Sequence, residues 1–305
     1  MDLAINFLPH NRRYLMLHTL KEFSKTNEKY KNKFKIYIHD NIDNDYVKDI
    51  LKDINYEIVN HGTHNYITKI NYAINLHHAY SMKIDEDIFM NHHVLEYVLD
   101  NLNLISDENF ILSPILSTGI PSTEMFVDDF CPEEKENIFK MFCDTHVCNL
   151  WGANYSSLNY NKSRWCANEY YDKVNQLDHY YKGIHPIRIN VSIQNFLLNV
   201  IKNKKQKLYE KQEYYTESKQ IPYICNSLFV IKTDEWKKII TNGSLYRDEY
   251  DEVPLNLYMK QFDKNVLFVR NANCIHPVYN TVDVFNQGMY NSLSIEWNKI
   301  LEESV

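Results

Sequence analysis

The stretch Tyr80-Ser81-Met82-Lys83-Ile84-Asp85-Glu86-Asp87-Ile88-Phe89-Met90 decides the fold of this chain. Within it, Tyr80, Met82 and Ile84 alternate, which predicts one face of a short β-strand. Asp85 and Asp87 then follow one residue apart, and apolar residues resume at once. Because a buried carboxylate needs a compensating charge, this oxygen-only pair predicts a hard divalent cation such as Mg²⁺ or Mn²⁺. Such triplets are also common in solvated turns, so the position of the pair in the chain has to decide.

Three further strands are predicted before this stretch, each followed by a helical pattern. The strands are predicted over Leu3 to Leu8, Lys33 to His39 and Tyr56 to Val59, and the helices from Asn11, over Tyr46 to Ile54 and over Asn65 to Ala79. This alternation predicts an α/β fold with right-handed crossovers and a mainly parallel central sheet. Ligands of such sheets bind at the carboxyl ends of the strands. The residues predicted there are Pro9, His39, Asp40, Asn60, His61, Asp85 and Asp87.

The second half of the sequence is less regular. Strands are predicted over Phe110 to Ser117, Tyr223 to Lys232 and Val266 to Arg270, and helices over Asp234 to Ile240 and after Pro254. Between about residues 133 and 220 the pattern gives helical pieces in a stretch rich in Tyr, Asn and Lys. We interpret this stretch as a helical insertion.

The overall composition limits the possible functions. The chain has 305 residues, 44% of them hydrophobic, which suffices for one large α/β domain. A formal net charge of -7 argues against general nucleic-acid binding. No apolar run approaches the roughly 18 residues of a transmembrane segment, and the N-terminus does not follow the signal-peptide pattern. The six cysteines are scattered without a CxxC pair, which predicts a cytoplasmic protein rather than a zinc ribbon.

Together these features resemble a metal-dependent glycosyltransferase of the GT-A fold, whose Rossmann-like sheet carries a DxD motif at the end of its fourth strand. The motif here is Lys83-Ile84-Asp85-Glu86-Asp87-Ile88-Phe89. Phe7-Leu8-Pro9-His10-Asn11-Arg12-Arg13 resembles the first strand and donor-binding loop of the family, and Cys225-Asn226-Ser227-Leu228-Phe229-Val230 its acceptor-side strand. The resemblance implies a single domain over residues 1–305. Its nucleotide-sugar-binding half would be 1–117, its acceptor half 118–305, and its insertion about 133–220.

The resemblance also implies roles for individual residues. The implied metal ligands of Mn²⁺ or Mg²⁺ are Asp85, Asp87 and His276, the last placed after the final strand. The implied contacts of the nucleotide-sugar donor, with a UDP-sugar favoured, are Pro9, Arg13, His39, Lys69, Asp85 and Glu86. Asp251 and Glu252, which open a helix, resemble the acidic pair that carries the catalytic base in inverting members. The implied reaction transfers a hexose to a hydroxyl group of a carbohydrate acceptor, with inversion favoured over retention.

Each of these residues also has an interpretation without a catalytic role. First-turn acids such as Asp251 and Glu252 are favoured by the helix macrodipole alone. Arg13 and Lys69 could belong to solvated helix faces. A retaining transfer needs no base on the acceptor, so the stereochemistry stays open.

Three other functions compete with this one. A sugar-nucleotide pyrophosphorylase would need a glycine-rich phosphate loop near the N-terminus, and Leu8-Pro9-His10-Asn11-Arg12 contains no glycine. A non-catalytic sugar-binding protein would not need the acids at 85, 87, 251 and 252. A glycosyltransferase that acts on modified DNA would need a basic surface, for which Lys202-Asn203-Lys204-Lys205-Gln206-Lys207 is the candidate.

Overall fold

The computed structural model describes residues 1–9, 13–40, 44–62, 65–118, 122–143, 191–221, 224–242, 252–276 and 295–302. Their strands are β1 (Leu3–Leu8), β2 (Phe34–Ile38), β3 (Tyr56–Ile58), β4 (Tyr80–Asp85), β5 (Asn109–Leu116), β6 (Tyr215–Gln220), β7 (Leu228–Lys232) and β8 (Asn265–Cys274). All eight belong to one sheet with the order β3-β2-β1-β4-β7-β5-β8-β6. The predicted α/β class, with a central sheet flanked by helices, is confirmed.

Helices connect most of these strands. They are α1 (Arg13–Ser24), α2 (Glu28–Lys31), α3 (Asn44–Ile50), α4 (Tyr66–Ala73), α5 (His92–Asp100), α6 (Ser122–Phe130), α7 (Lys135–Cys143), α8 (Val191–Asn203), α9 (Gln206–Tyr209), α10 (Thr233–Asn242) and α11 (Glu252–Gln261). A further helix covers residues 295–302, and short 3₁₀ turns cover Leu102–Leu104 and Pro132–Glu134. No helix in the described part of the chain is both long enough and apolar enough to cross a membrane.

The first four strands are parallel throughout. β1 lies between β2 and β4, and its register aligns Asn6 with Tyr37 on one side and with Lys83 on the other. β3 adds to the far side of β2, again in parallel. Every residue of β1 is buried, as expected for a central strand covered on both faces. The carboxyl ends of all four strands therefore meet at one edge of the sheet.

The remaining strands give the sheet its mixed character. β7 runs antiparallel to both β4 and β5, and β6 pairs antiparallel with β8 at the other end of the sheet. The sequence pattern predicted β5 and β7, but it assigned residues 215–220 to a helical insertion, and the structure has strand β6 there. β8 also continues to Cys274, past the predicted end at Arg270.

The chain divides into two compact units. The first consists of Met1–Ile115 and Glu210–Cys274 and contains nearly the whole sheet, and the second consists of Leu116–Tyr209 and Ile275–Val305. We call them the sheet unit and the second unit. The predicted halves at 1–117 and 118–305, and the insertion at about 133–220, stay predictions.

Candidate functional site

The acidic triplet Asp85-Glu86-Asp87 forms a turn directly after β4. The amide of Asp85 donates to the carbonyl of Ser227 at 3.0 Å, and the amide of Ile88 donates back to the Asp85 carbonyl at 3.2 Å. The buried hydroxyl of Thr19 in α1 then holds the segment that follows, since it donates to the Ile88 carbonyl at 2.7 Å and accepts from the Met90 amide at 3.1 Å. The turn is thus fixed at both ends, by Ser227 just before β7 and by Thr19 of α1.

A completely buried lysine pairs with the first acid of this turn. Nζ of Lys83 lies 2.9 Å from Oδ1 of Asp85, and it also donates to the carbonyl of Asn226. The Lys83 side chain has 0% exposure, whereas 27% of the Asp85 side chain is exposed. Lys83 thus holds Oδ1 of Asp85 in place while part of the Asp85 side chain remains accessible to solvent. Glu86 and Asp87 are themselves buried.

Helix α4 brings three side chains to the ends of the parallel strands. Asn65 caps the helix by accepting from the Ile67 amide at 2.9 Å, which fixes where it starts. Tyr66, Lys69 and Tyr72 follow at intervals of three and lie on one side of the helix. The Tyr66 ring centroid is 5.5 Å from Nζ of Lys83 in β4.

The second and third of these side chains reach β1, β2 and β3. Nζ of Lys69 donates to the carbonyl of Pro9, directly after β1, and the whole lysine is buried. The Tyr72 ring packs edge-on against His39 after β2 and against His61 after β3, with centroid distances of 5.4 and 5.5 Å. The burial of Lys69 contradicts its alternative interpretation as part of a solvated helix face.

His39 is a fully buried neutral histidine. Its Nε2 lies 3.0 Å from Oδ1 of Asn6, and its Nδ1 lies 2.9 Å from Nε2 of His61. Burial, then the neighbouring His61 and the ammonium of Lys69 lower the pKa of His39 from 6.5 to about 3. The imidazole is therefore uncharged at physiological pH, and it acts through its hydrogen bonds rather than through charge.

These groups form one cluster at the carboxyl edge of the parallel strands, which we call the strand-end site. Its members are Pro9, His39, His61, Lys69, Lys83, Asp85, Glu86 and Asp87. Six of these residues, all except His61 and Lys83, have roles predicted from the sequence. His61 is predicted at this edge of the sheet but without a role. Lys83 had no predicted role, although alternation along a strand puts it on the same face as Asp85.

The predicted metal ligand His276 belongs to the second unit, where its surroundings are well defined. Nδ1 of His276 lies 2.8 Å from the carbonyl of Thr118, and the His276 amide donates to the hydroxyl of Ser117 at 3.0 Å. Since a carbonyl can only accept, Nδ1 carries a proton, and in a neutral ring the lone pair then lies on Nε2. Metal-binding histidines are commonly oriented by this kind of hydrogen bond. The role of His276 as a metal ligand stays a prediction.

Three other predicted residues are described only in part or not at all. Asp251 lies outside the described residues. For Arg13 and Glu252 the structure describes only the backbone, at the first residues of α1 and α11.

In the candidate DNA-binding run, Lys204 pairs with Glu133, and Lys207 donates to the carbonyl of Phe130 at 3.1 Å. Both lysines therefore have partners within the second unit.

The acids of the strand-end site suit a cation that is bound only partly by protein. Among the described residues, no three His, Cys, Asp or Glu side chains form a cluster that could hold a metal ion. Mg²⁺ is usually bound through one or two carboxylates together with phosphate oxygens and water. Asp85, whose side chain is partly exposed, and Asp87 in the same turn fit that arrangement.

Comparisons with known proteins give partial similarities. No family model matches the sequence, and no curated protein matches it. Residues 1-349 of S. aureus TarS in complex with UDP-GlcNAc match with 17% identity and a TM-score of 0.31, over 41% of this chain and 38% of TarS.

Two further solved structures match over similar spans. The mannosyltransferase PcManGT from Pyrobaculum calidifontis, in complex with GDP-Man and Mn²⁺, matches with 12% identity and a TM-score of 0.27, over 37% of this chain and 35% of that one. A cytidylyltransferase from Leptospira borgpetersenii matches with 9% identity and a TM-score of 0.28, over 37% of this chain and 52% of that one. The chain spans well under half the length of TarS 1-349 and of PcManGT. The assignment of function therefore depends on the residues of the strand-end site.

Proposed function

We propose that this chain is a glycosyltransferase that moves a sugar from a nucleotide-sugar donor, with a UDP-sugar favoured, to a hydroxyl group of a carbohydrate acceptor. The observation that carries the proposal is the acidic turn Asp85-Glu86-Asp87. It follows β4 at the carboxyl edge of the parallel strands, and buried Lys83 holds Asp85 at 2.9 Å. Ligands of open α/β sheets bind at this edge.

The charges of the strand-end site suit a diphosphate together with a cation. In our proposal Asp85 and Asp87 hold Mn²⁺ or Mg²⁺, which would neutralise the charge that builds on the leaving diphosphate. Lys69 and Lys83 add two buried positive charges at the ends of β1 and β4. His276 as a third metal ligand remains part of the proposal.

The acceptor side of the reaction is assigned to the start of α11. An inverting transfer needs a base on the acceptor hydroxyl, and we assign this role to Asp251 with Glu252 as the alternative. The motivation is the acidic pair in the sequence just before Pro254, at the start of a helix whose residues Leu255 and Met259 are buried. A carboxylate on a helix end that is fixed by such packing can stay in place while a proton is transferred.

Donor binding can be tested without knowledge of the acceptor. The melting temperature of the wild-type protein is measured with UDP or GDP, with Mn²⁺ or with a chelator. Ligand at a hundredfold excess over its dissociation constant stabilises a protein by about 2.7 kcal/mol, so we expect a rise of a few degrees that depends on Mn²⁺. Asp87→Asn should lose the Mn²⁺-dependent part of this rise, because the variant lacks one of the proposed ligands.

Two matched variants sharpen the test. Glu217→Gln removes a carboxylate from β6, away from the acidic turn, and should keep the full rise. Asp251→Asn should keep the rise but lose about a hundredfold or more in transfer, once an acceptor is known, because a general base contributes at least that much. A rise that is equal with Mn²⁺ and with the chelator would exclude the proposed metal site. No rise with any nucleoside diphosphate would remove the main support for the function.

A further inference from the structure

A chain of hydrogen bonds runs from Asn6 through His39 to His61. Nδ2 of Asn6 donates to two backbone carbonyls, those of Ala4 and Met82, each at 3.4 Å. Its Oδ1 must therefore accept, and the atom that faces it at 3.0 Å is Nε2 of His39. The proton of the neutral His39 ring thus lies on Nε2, and Nδ1 of His39 carries a lone pair.

The next bond of the chain fixes the proton of His61. Nδ1 of His39 can only accept, and its partner at 2.9 Å is Nε2 of His61, which must donate. Burial and then the ammonium of Lys69 lower the pKa of His61, so this ring is also neutral near pH 7. With its single proton on Nε2, His61 has an unprotonated Nδ1. In the described part of the chain, no hydrogen bond uses this nitrogen.

The orientation of this acceptor is also fixed. The planes of the His39 and His61 rings differ by 4°, and the Tyr72 ring stands against His61 at 80°. The hydroxyl of Tyr72 donates to Glu57 at 3.0 Å, which holds the aromatic wall in place. His61 remains partly exposed. The result is a preorganised hydrogen-bond acceptor at the end of β3.

The strand-end site thus has two chemically different ends. Lys69 and Lys83 place positive charge at the ends of β1 and β4, where an anion is favoured. The lone pair of His61 would repel a phosphate oxygen and instead requires a donor group. A nucleotide bound at this edge would therefore place its diphosphate toward β1 and β4 and its neutral part toward β3.

We propose that Nδ1 of His61 is a specificity-determining acceptor that binds a ring N–H of the donor's base, the group that uracil and guanine carry and that cytosine and adenine lack. This inference rests on the proposed function, because the base belongs to the nucleotide-sugar. A base without this N–H would leave two acceptors facing each other. Loss of such a hydrogen bond weakens binding by about tenfold to a hundredfold.

Calorimetric titration in the presence of Mn²⁺ tests the proposal with UDP, GDP and CDP, and with N3-methyl-UDP and N1-methyl-GDP, which lack the ring N–H. UDP or GDP should bind at least about tenfold more tightly than both CDP and its own methylated form. His61→Phe keeps an aromatic ring beside Tyr72 but should lose this preference. His61→Gln can still donate to His39 and accept from a base, so it should retain part of it.

A second half-buried histidine of the sheet unit provides the control. His78 accepts from the Tyr37 hydroxyl at 2.9 Å and bonds the Met1 carbonyl at 3.3 Å, at the amino ends of the strands. His78→Phe should leave the base preference unchanged.

Because a ribose hydroxyl could also donate to His61, 2′-deoxy-UDP is titrated in parallel. A loss of affinity with the deoxy form and none with the methylated form would overturn the proposal.

The inference and the proposed function can fail separately. Long-range ¹H–¹⁵N spectra of the histidine side chains report which nitrogen of His61 is protonated, without any ligand. Protonated Nδ1 would overturn the inference whatever nucleotide binds. Tight binding of CDP or ADP would overturn it and leave the function standing, whereas no binding by any nucleotide would overturn both.

Discussion

The two ends of the sheet use polar side chains in opposite ways. At the carboxyl edge of β1 to β4 the polar groups are buried, as Lys83 and His39 are at 0% exposure. On the antiparallel ribbon of β6 and β8, Tyr215 is 51% exposed, and the charged pair of Arg270 and Glu217 remains accessible to water at 14% and 35% exposure. Both regions have many polar residues, but only the first removes most of them from solvent.

This difference predicts how each region responds to change. A buried polar group has given up its hydration, so the loss of its partner leaves an uncompensated group and destabilises the fold. A solvated ion pair regains water when it is broken, so its loss has little effect. Polar groups buried at one edge of a sheet are typical of a binding site. Substitutions at this edge should therefore have larger effects than substitutions on the ribbon.

The largest effect is expected from pH, through His39. In the unfolded chain its pKa is near 6.5, and in the folded protein it is about 3, so protons bind preferentially to the unfolded state between these values. The free energy of unfolding should therefore fall as pH decreases from about 6.5 toward 3, by up to about 1.4 kcal/mol per pH unit from this one group. His39→Gln should reduce that slope, since glutamine can bond both neighbours without titrating.

Urea unfolding between about pH 5.5 and 7 provides the measurement. The lower limit stays about one unit above the ordinary carboxylate pKa of 4.5, so carboxylates such as Glu217 and Glu57, whose pKa the fold lowers, contribute little. His61 and His78 also have lowered pKa values, so the difference between wild type and His39→Gln isolates His39. Glu217→Gln on the ribbon should keep the wild-type slope in this range. Equal slopes for wild type and His39→Gln would show that His39 is not held neutral by the fold.

The second effect concerns the pairing of Lys83 with Asp85. Lys83→Met keeps the length of the side chain but removes the ammonium, leaving the Asp85 carboxylate and the Asn226 carbonyl without it. We expect a loss of about 1–3 kcal/mol in unfolding free energy. The loss should be smaller than the 3–5 kcal/mol typical of fully buried pairs, because water reaches the partly exposed Asp85.

A double-mutant cycle with Asp85→Asn separates the pairing from the packing. Asparagine removes the charge that Lys83 balances, so the double variant should be less destabilised than the sum of the two single variants. Strictly additive losses would mean that Lys83 contributes through its buried methylene groups alone. The same cycle on Arg270 and Glu217 should give a smaller coupling, because both charges there remain accessible to water.

Local periodicity predicted the parallel half of the fold well. The alternation and apolar runs around β1 and β4 set their bounds closely, and the order of strands and helices placed Asp85 and His39 at the carboxyl edge. β6 was missed because Tyr215 to Gln220 reads Tyr-Thr-Glu-Ser-Lys-Gln, which has no apolar alternation. Its strand conformation comes from pairing with β8, a partner about fifty residues later that local propensity does not reveal.

The contacts within the site were beyond the sequence for a different reason. The pattern showed that Lys83 and Asp85 share a face of the strand, but not that the lysine is completely buried. The protons of His39 and His61 depend on where the amide of Asn6 points, and that follows from carbonyls on β1 and β4. Tyr66, Lys69 and Tyr72 became site neighbours only because α4 crosses the ends of the strands. Each of these facts is tertiary, and local propensity carries little information about it.

The smallest effect is expected from the ion pair on the ribbon. Nη1 of Arg270 lies 2.8 Å from Glu217, whose pKa is lowered because Arg270 and Lys219 together outweigh the raising effect of burial. The pair therefore contributes above the ordinary carboxylate pKa of 4.5 and is lost as pH falls below it. Glu217→Gln should change the unfolding free energy at pH 7 by less than about 1 kcal/mol, and 1 M salt should shrink the difference further. Urea unfolding of wild type and Glu217→Gln at two salt concentrations measures the stability difference and its dependence on salt. A loss as large as that of Lys83→Met would contradict the proposed contrast between the two ends of the sheet.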